Sequence, residues 1–207
     1  MEKKMGNKKG ILLLFLMLVL AALPLDAQAA SQKTKAIKAY TKMMSKSTMR
    51  WGADTYYTKV PTKNCEFAIA YIDNDSVPEL IVRNTRDITH IAGFGVVYTY
   101  RNGKVQVVKN IHIDDKFYYY KKKGVFVSMY VSGGTAESYW TLSKGKAVCR
   151  LSKEYRMIDR KYTYYAASKK TSKKKFNAAL KKLVGSRKKT AVKFYKNTAA
   201  ARKKYMK

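Results

Sequence analysis

Two aspartates one residue apart, followed by a glutamate four residues on, form the most specific arrangement of chemistry-bearing side chains in the chain. They are Asp73, Asp75 and Glu79, within FAIAYIDNDSVPELIV at residues 67–82. Alternate residues of an extended segment point the same way, so Asp73 and Asp75 aim two carboxylates at one point. Calcium takes about six to eight oxygens at roughly 2.3–2.6 Å from carboxylates and carbonyls, and an Asp-x-Asp turn with a later acid is half of such a cage. A second reading needs no ion. Asp and Asn are good turn formers because their side chains accept from nearby backbone N–H groups. Both readings stay open at this stage, and the spacing excludes an EF-hand, whose bidentate Glu stands at position twelve.

Other catalytic constellations are sparse. His90 and His112 each lie in a β-rich stretch beside isoleucines, the setting of a half-buried strand histidine rather than a general base. No G-x-S-x-G, HExxH or P-loop occurs, and Gly93-Phe94-Gly95 lacks the third glycine and following helix of a dinucleotide fingerprint. Asp114-Asp115 with the distant Glu137 is the one carboxylate set that suggests glycan hydrolysis, the weakest of three functional readings beside a basic domain adhering to anionic polymers and a degenerate calcium-loop structural or interaction module. Cys65 and Cys149 allow a single disulfide, or serve as two small buried hydrophobes. With no CxxC and no Cys/His cluster, a zinc site is not expected.

Charge is the dominant feature. The 207 residues hold 44 Lys+Arg against 13 Asp+Glu, a net charge of +31, while 46% are apolar. Such a chain is neither an acidic enzyme of ordinary composition nor a disordered basic tail, since it has the apolar matter for a core. Two zones concentrate the cations. In the first, Lys116 to Lys123, aromatics interleave with lysines and Lys121, Lys122 and Lys123 close the run. The second holds Lys173, Lys174, Lys175, Lys181, Lys182, Arg187, Lys188 and Lys189. Any single lysine reads as a solvated face. The sum is an expectation of polyanion binding with counterion release. Lysine outnumbers arginine, which favours point-charge contact over bidentate recognition, and no nucleic-acid-binding motif is visible. Tyr98, Tyr100, Tyr118, Tyr120 and Trp140 are candidates to stack on sugar rings, although at least half are expected to fill a sheet face.

The N-terminus supplies an address. Lys3, Lys4, Lys8 and Lys9 precede an unbroken apolar run from Ile11 to Leu23, Pro24 breaks it, and Ala27-Gln28-Ala29 is an A-x-A site. This is the pattern of a secretory signal peptide over residues 1–29, cut between Ala29 and Ala30. Cleavage removes four lysines and two acids, so the charge falls from +31 to +29. No lipobox cysteine or second apolar span follows, so the expected product is secreted without a transmembrane anchor. Its anionic partners there are wall teichoic acids and acidic glycans.

The elements that position these groups follow from periodicity. Ile37, Tyr40 and Met44 put a helix in residues 31–52. Residues 65–166 switch to β-branched and aromatic runs punctuated by turns, Asn102-Gly103 being the strongest hairpin signal. In residues 167–207, which contain no acid, Ser172 caps a helix with Phe176, Leu180, Leu183 and Val184 on one face and Gly185 at its end. A short helix is expected over Thr198 to Met206. The fold class is α+β: one domain over 30–207, with helix and loop at 30–64, an antiparallel meander at 65–166 and basic helices at 167–207.

The acidic string resembles the "DxDxDGxPEL" element of a family of small secreted proteins of Gram-positive gut anaerobes. Tyr98 to Val105, which matches "Y-x-Y-x-N-G-K-V", together with Gly133-Gly134 and Asn197-Thr198, carries the resemblance over most of the mature chain. The element is also similar to calcium loops of integrin-type propeller repeats. That likeness implies ligands from Asp73, Asp75, the Val77 carbonyl and Glu79, with Tyr71 at the first position and Ser76 where glycine is usual.

Overall fold

The computed structural model describes residues 25–51, 59–85, 94–113, 116–131 and 134–207. Its first element is helix α1, Leu25–Met44. The expected cleavage position, Ala29–Ala30, falls within α1, and residues 1–24 of the expected signal peptide lie outside the described residues. The helix stops earlier than its expected limit of residue 52. Thr48–Arg50 (β1) instead pairs with Lys59–Pro61 (β2), burying Met49 opposite Val60. The serines at 45 and 47 and β-branched Thr48 favour turn and strand over a further helical turn.

A single-turn 3₁₀ helix, Thr62–Asn64, leads to the main strands. These are β3 (Cys65–Ala70), β4 (Glu79–Asn84), β5 (Phe94–Arg101), β6 (Lys104–His112), β7 (Tyr118–Tyr120), β8 (Val125–Val131), β9 (Gly134–Ser143), β10 (Lys146–Arg156) and β11 (Lys161–Ala166). The C-terminal third adds β12 (Lys169–Thr171), α2 (Lys173–Val184), β13 (Thr190–Ala191), β14 (Tyr195–Lys196) and α3 (Ala199–Tyr205). The class is α+β, as expected. The meander divides into two sheets, ordered β14-β3-β4-β5-β6 and β12-β11-β10-β9-β8-β7-β13, and every paired strand is antiparallel. The C-terminal segment, expected to hold helices, also lends three short edge strands, β12 and β13 to the seven-stranded sheet and β14 to the five-stranded one.

Side-chain alternation builds four layers from these pieces. On one face of the five-stranded sheet, Phe67, Leu80, Val82, Val96 and Tyr98 pack under Ala36, Tyr40 and Met44 of α1. The buried stripe of α1 thus starts at Ala36, while Ile37 is only partly covered. On the other face, Ala68, Ile81, Val97 and Ile111 meet Phe117, Phe126 and Leu142 of the second sheet. Beyond that sheet, Val125, Val127, Tyr139 and Leu151 pack against Phe176 and Val184 of α2. The order is helix, sheet, sheet, helix. Apolar residues on both faces of β4 explain its nearly continuous burial.

Caps hold the helices. The Ser172 hydroxyl accepts from the Lys175 N–H at 3.3 Å, and Gly185 takes φ +60° as its N–H donates to the Lys181 carbonyl at 2.8 Å. Two-residue turns follow at Asn102-Gly103 (φ 51° and 76°) and Lys144-Gly145 (φ 51° and 74°), both residues positive as a type I′ hairpin requires. Because β3, β5, β7 and β9 run the same way, the four turns that follow them gather at one end of the sheet pair. Among the described residues, no helix is long and apolar enough to cross a membrane.

Candidate functional site

The acidic turn connects β3 to β4 at that end. One oxygen from each of Asp73, Asp75 and Glu79 lies within 4.8 Å of the others. The three differ in setting: Asp75 is exposed, Asp73 half-buried and Glu79 fully buried. Local bonds shape the turn. The Asp75 N–H donates to Asp73 Oδ1 at 3.1 Å, and the Val77 N–H donates to Asp75 Oδ1 at 2.8 Å. Glu79 Oε2 accepts the Ile72 N–H at 3.0 Å, and Glu79 Oε1 accepts the Thr99 hydroxyl at 3.3 Å. The side chains bond the turn's own backbone, and the three carboxylates also converge on one point that could hold a metal ion. Val77, offered as a carbonyl ligand, is tied to the same turn with its side chain in the α1-facing core.

Among the described residues no buried cation stands beside these carboxylates. Burial, then the neighbouring Asp73, pushes Glu79 up to about 8. Burial also raises Asp73 to about 6, the Asp75 carboxylate adding to it and Arg101 opposing it. Tyr40 on α1 closes the floor: its hydroxyl donates to the Pro78 carbonyl at 3.0 Å, and burial raises its pKa with Glu79 adding. Like charges at this spacing make an ion or a proton the natural neutraliser.

The β7–β8 turn is clamped onto the acidic turn. The Lys122 N–H donates to the Tyr71 carbonyl at 3.1 Å and the Gly124 N–H to the Ile72 carbonyl at 2.8 Å. Gly124 has φ +64°, and a Cβ there would lie 2.7 Å from the Leu142 carbonyl oxygen, so glycine is required. The clamp sets Lys122 and Lys123 beside Asp73 and Asp75. An open cleft of about 600 Å³ results, lined by those four with Arg101, Lys144 and Arg187 among others. Five cationic side chains from four separate segments thus surround two carboxylates.

This grouping redistributes the expected basic residues. Lys122, Lys123 and Arg187 line the cleft. Lys121 adjoins them, and Lys181 and Lys182 lie in the last turn of α2, whose terminal Gly185 approaches Lys123 Nζ. Lys173, Lys174 and Lys175 stand at the other end of α2, and Lys188 is exposed on the segment after it. Lys189 is engaged elsewhere: its Nζ lies 3.4 Å from Glu137 Oε2 and 4.5 Å from the Tyr118 ring centroid. Arg101 and Lys144 were not singled out from sequence. Their signal is positional, at or beside hairpin turns that share one end.

The remaining candidates that lie among the described residues pack or pair within the fold. Glu137 accepts from the Tyr139 hydroxyl at 2.7 Å and pairs with Lys153 at 3.0 Å. Burial opposes its ionisation, but these partners and Lys189 outweigh it and lower its pKa. Asp114, Asp115 and His90 lie outside the described residues. His112 is half-buried in β6, its ring 4.2 Å from Phe94 and 4.7 Å from Tyr130, centroid to centroid. Tyr98 and Tyr120 are core residues, while Tyr100, Tyr118 and Trp140 are half-buried. Cys65 and Cys149 are not bridged: both are free thiols, in β3 and β10 of different sheets. Burial pushes the Cys65 thiol up to about 12, leaving it an inert core group.

Comparison with known proteins leaves the geometry to stand alone: no family model, no curated protein and no solved structure matches the chain.

Proposed function

We propose that the chain is an exported, non-enzymatic adhesion module that holds anionic wall or matrix polymers, such as teichoic acids or acidic glycans, at its basic cleft. The observation that carries this reading is the convergence of Arg101, Lys122, Lys123, Lys144 and Arg187 on one open cleft. Four independent segments bring cations to one place, in a chain whose net charge of +31 leaves most of them without an acid. An open, lysine-rich cleft suits a flexible chain of repeating negative charges, met by point-charge contacts and counterion release. The test is adsorption to isolated cell walls, with and without teichoic acid, across a salt series. Binding that weakens steeply with salt and needs the anionic polymer supports the reading; binding indifferent to both overturns it.

A second reading is favoured by the convergence of Asp73, Asp75 and Glu79. Here the acidic turn holds a calcium ion weakly, because the surrounding cations oppose it. An ion there neutralises two carboxylates that line the same cleft, and calcium then strengthens polymer adhesion instead of competing with it. A thermal shift in millimolar calcium tests it, and no shift counts against it.

A further inference from the structure

The opposite end of the seven-stranded sheet has a different chemistry. Among the described residues six large hydrophobic side chains are exposed, and five of them, Tyr130, Val131, Met157, Ile158 and Tyr162, lie at this end. The extreme point is the β10–β11 hairpin. Arg156 pairs with Lys161, and the four residues between them, starting with Met157 and Ile158, make the turn. Met157 is 64% exposed and Ile158 is 83% exposed. Turns favour Gly, Asn, Asp and Pro, so a methionine and a β-branched isoleucine at such a tip have no local structural reason to be there.

We propose that this hairpin tip is a membrane-docking wedge that inserts Met157 and Ile158 into the interface of an anionic lipid bilayer. Three features point to lipid. The tip is convex and narrow, with too few apolar groups for a stable protein interface and enough for shallow insertion. Arg156, Arg160 and Lys161 ring the apolar pair, opposed locally by Asp159, which Arg156 pairs with at 3.3 Å, so an anionic surface is the complementary one. Behind them Tyr155 and Tyr162 sit with ring centroids 4.9 Å apart, the amphipathic side chains that settle at headgroup depth. A second copy of the chain would bring the same cations together, and the net charge of +31 opposes that. The wedge lies about 30 Å from the basic cleft, at roughly 3.3 Å per residue along β10. The two ends can therefore act separately, and this proposal does not rest on the adhesion reading.

The experiment is co-sedimentation of the exported protein with vesicles of phosphatidylcholine alone and of phosphatidylcholine mixed with phosphatidylglycerol, at physiological and at high salt. The expected result is binding to the mixed vesicles that the double variant Met157→Ser with Ile158→Ser weakens about tenfold or more, as loss of two buried apolar side chains requires. Both sites are exposed, so folding is retained, and adsorption of the same variant to polyphosphate is unchanged. An Ile158→Trp variant adds fluorescence that brominated lipid quenches. A double variant that binds mixed vesicles as the parent does overturns the proposal, as does Ile158→Trp emission indifferent to brominated lipid. A parent dimer that the double variant dissociates overturns it in favour of self-association.

Discussion

Asn197 Nδ2 donates to the carbonyl of Met44 at 2.8 Å and to that of Thr62 at 3.0 Å, so one C-terminal amide closes the end of the N-terminal helix. Arg202 reinforces it from α3, donating to Asn197 Oδ1 at 2.8 Å. The Met44 carbonyl belongs to the last turn of α1, where carbonyls lack intrahelical partners. Replacing Asn197 with alanine removes one donor from each carbonyl, leaving that of Met44 with Arg202 Nη1 at 3.4 Å and that of Thr62 with the Cys65 N–H. The expected cost is that of two ordinary hydrogen bonds, about 1–2 kcal/mol. Urea unfolding of Asn197→Ala checks it, with a lower midpoint and an unchanged slope as the outcome.

The raised pKa of Glu79 has a definite consequence for stability against pH. Its folded value, about 8, stands above its ordinary value of 4.5 because of burial and then Asp73. The folded state therefore binds more protons than the unfolded one between those values, and stability falls as pH rises through that window. Below it both states are protonated and the carboxyl imposes no penalty. Glu79→Gln removes the ionisation. Unfolding midpoints from pH 4.5 to pH 8.5 should decline in the parent and decline much less in the variant, the gap at the alkaline end reaching a few kcal/mol.

Calcium should act through the same carboxylates with the opposite dependence. An ion needs them deprotonated, and protons compete below the raised values of Asp73, about 6, and Glu79, about 8. A thermal shift in millimolar calcium should therefore be larger at pH 8 than at pH 6. Asp73→Asn keeps an oxygen to accept the Asp75 N–H but removes a charge from the cage. It should abolish the calcium shift while leaving the calcium-free melting temperature nearly unchanged or slightly raised.

How much of this was legible beforehand follows from the range of each interaction. Strand positions were, because β-branched and aromatic runs and the Asn102-Gly103 turn are local signals, and β3 to β11 fall on them. The helix capped by Ser172 and closed by Gly185 was legible for the same reason. The split into two stacked sheets was not. A period of two shows which residues share a face, but not which strand lies across that face. Its trace is the burial of consecutive apolar residues, Leu80, Ile81 and Val82 in β4, Val96, Val97 and Tyr98 in β5, and Val125, Phe126 and Val127 in β8, since only a strand covered on both sides hides such runs. The edge strands β13 and β14, two residues each, are set wholly by distant partners such as Tyr119 and Phe67. The candidate site divides likewise. Asp73, Asp75 and Glu79 lie within one turn and could be read directly. Arg101 and Lys144 sit on different hairpins, and only the stacking of the two sheets brings them to Lys122 and Arg187.

That convergence can be measured as a change in salt dependence. If a polyanion lies in the cleft, each cation it contacts releases about 0.7 to 0.9 of a counterion, and log affinity falls with log salt in proportion to their number. Lys122→Gln, Lys144→Gln and Arg187→Gln together remove three cleft charges without touching the core, since all three side chains line open space. The slope of wall or polyphosphate binding should then become shallower by about 2 to 3. Neutralising Lys173, Lys174 and Lys175 at the far end of α2 takes away the same charge from a place outside the cleft. A chain that binds only through its overall charge responds equally to both triple variants. A chain that binds at the cleft loses far more from the first, and the comparison of the two slopes decides between them.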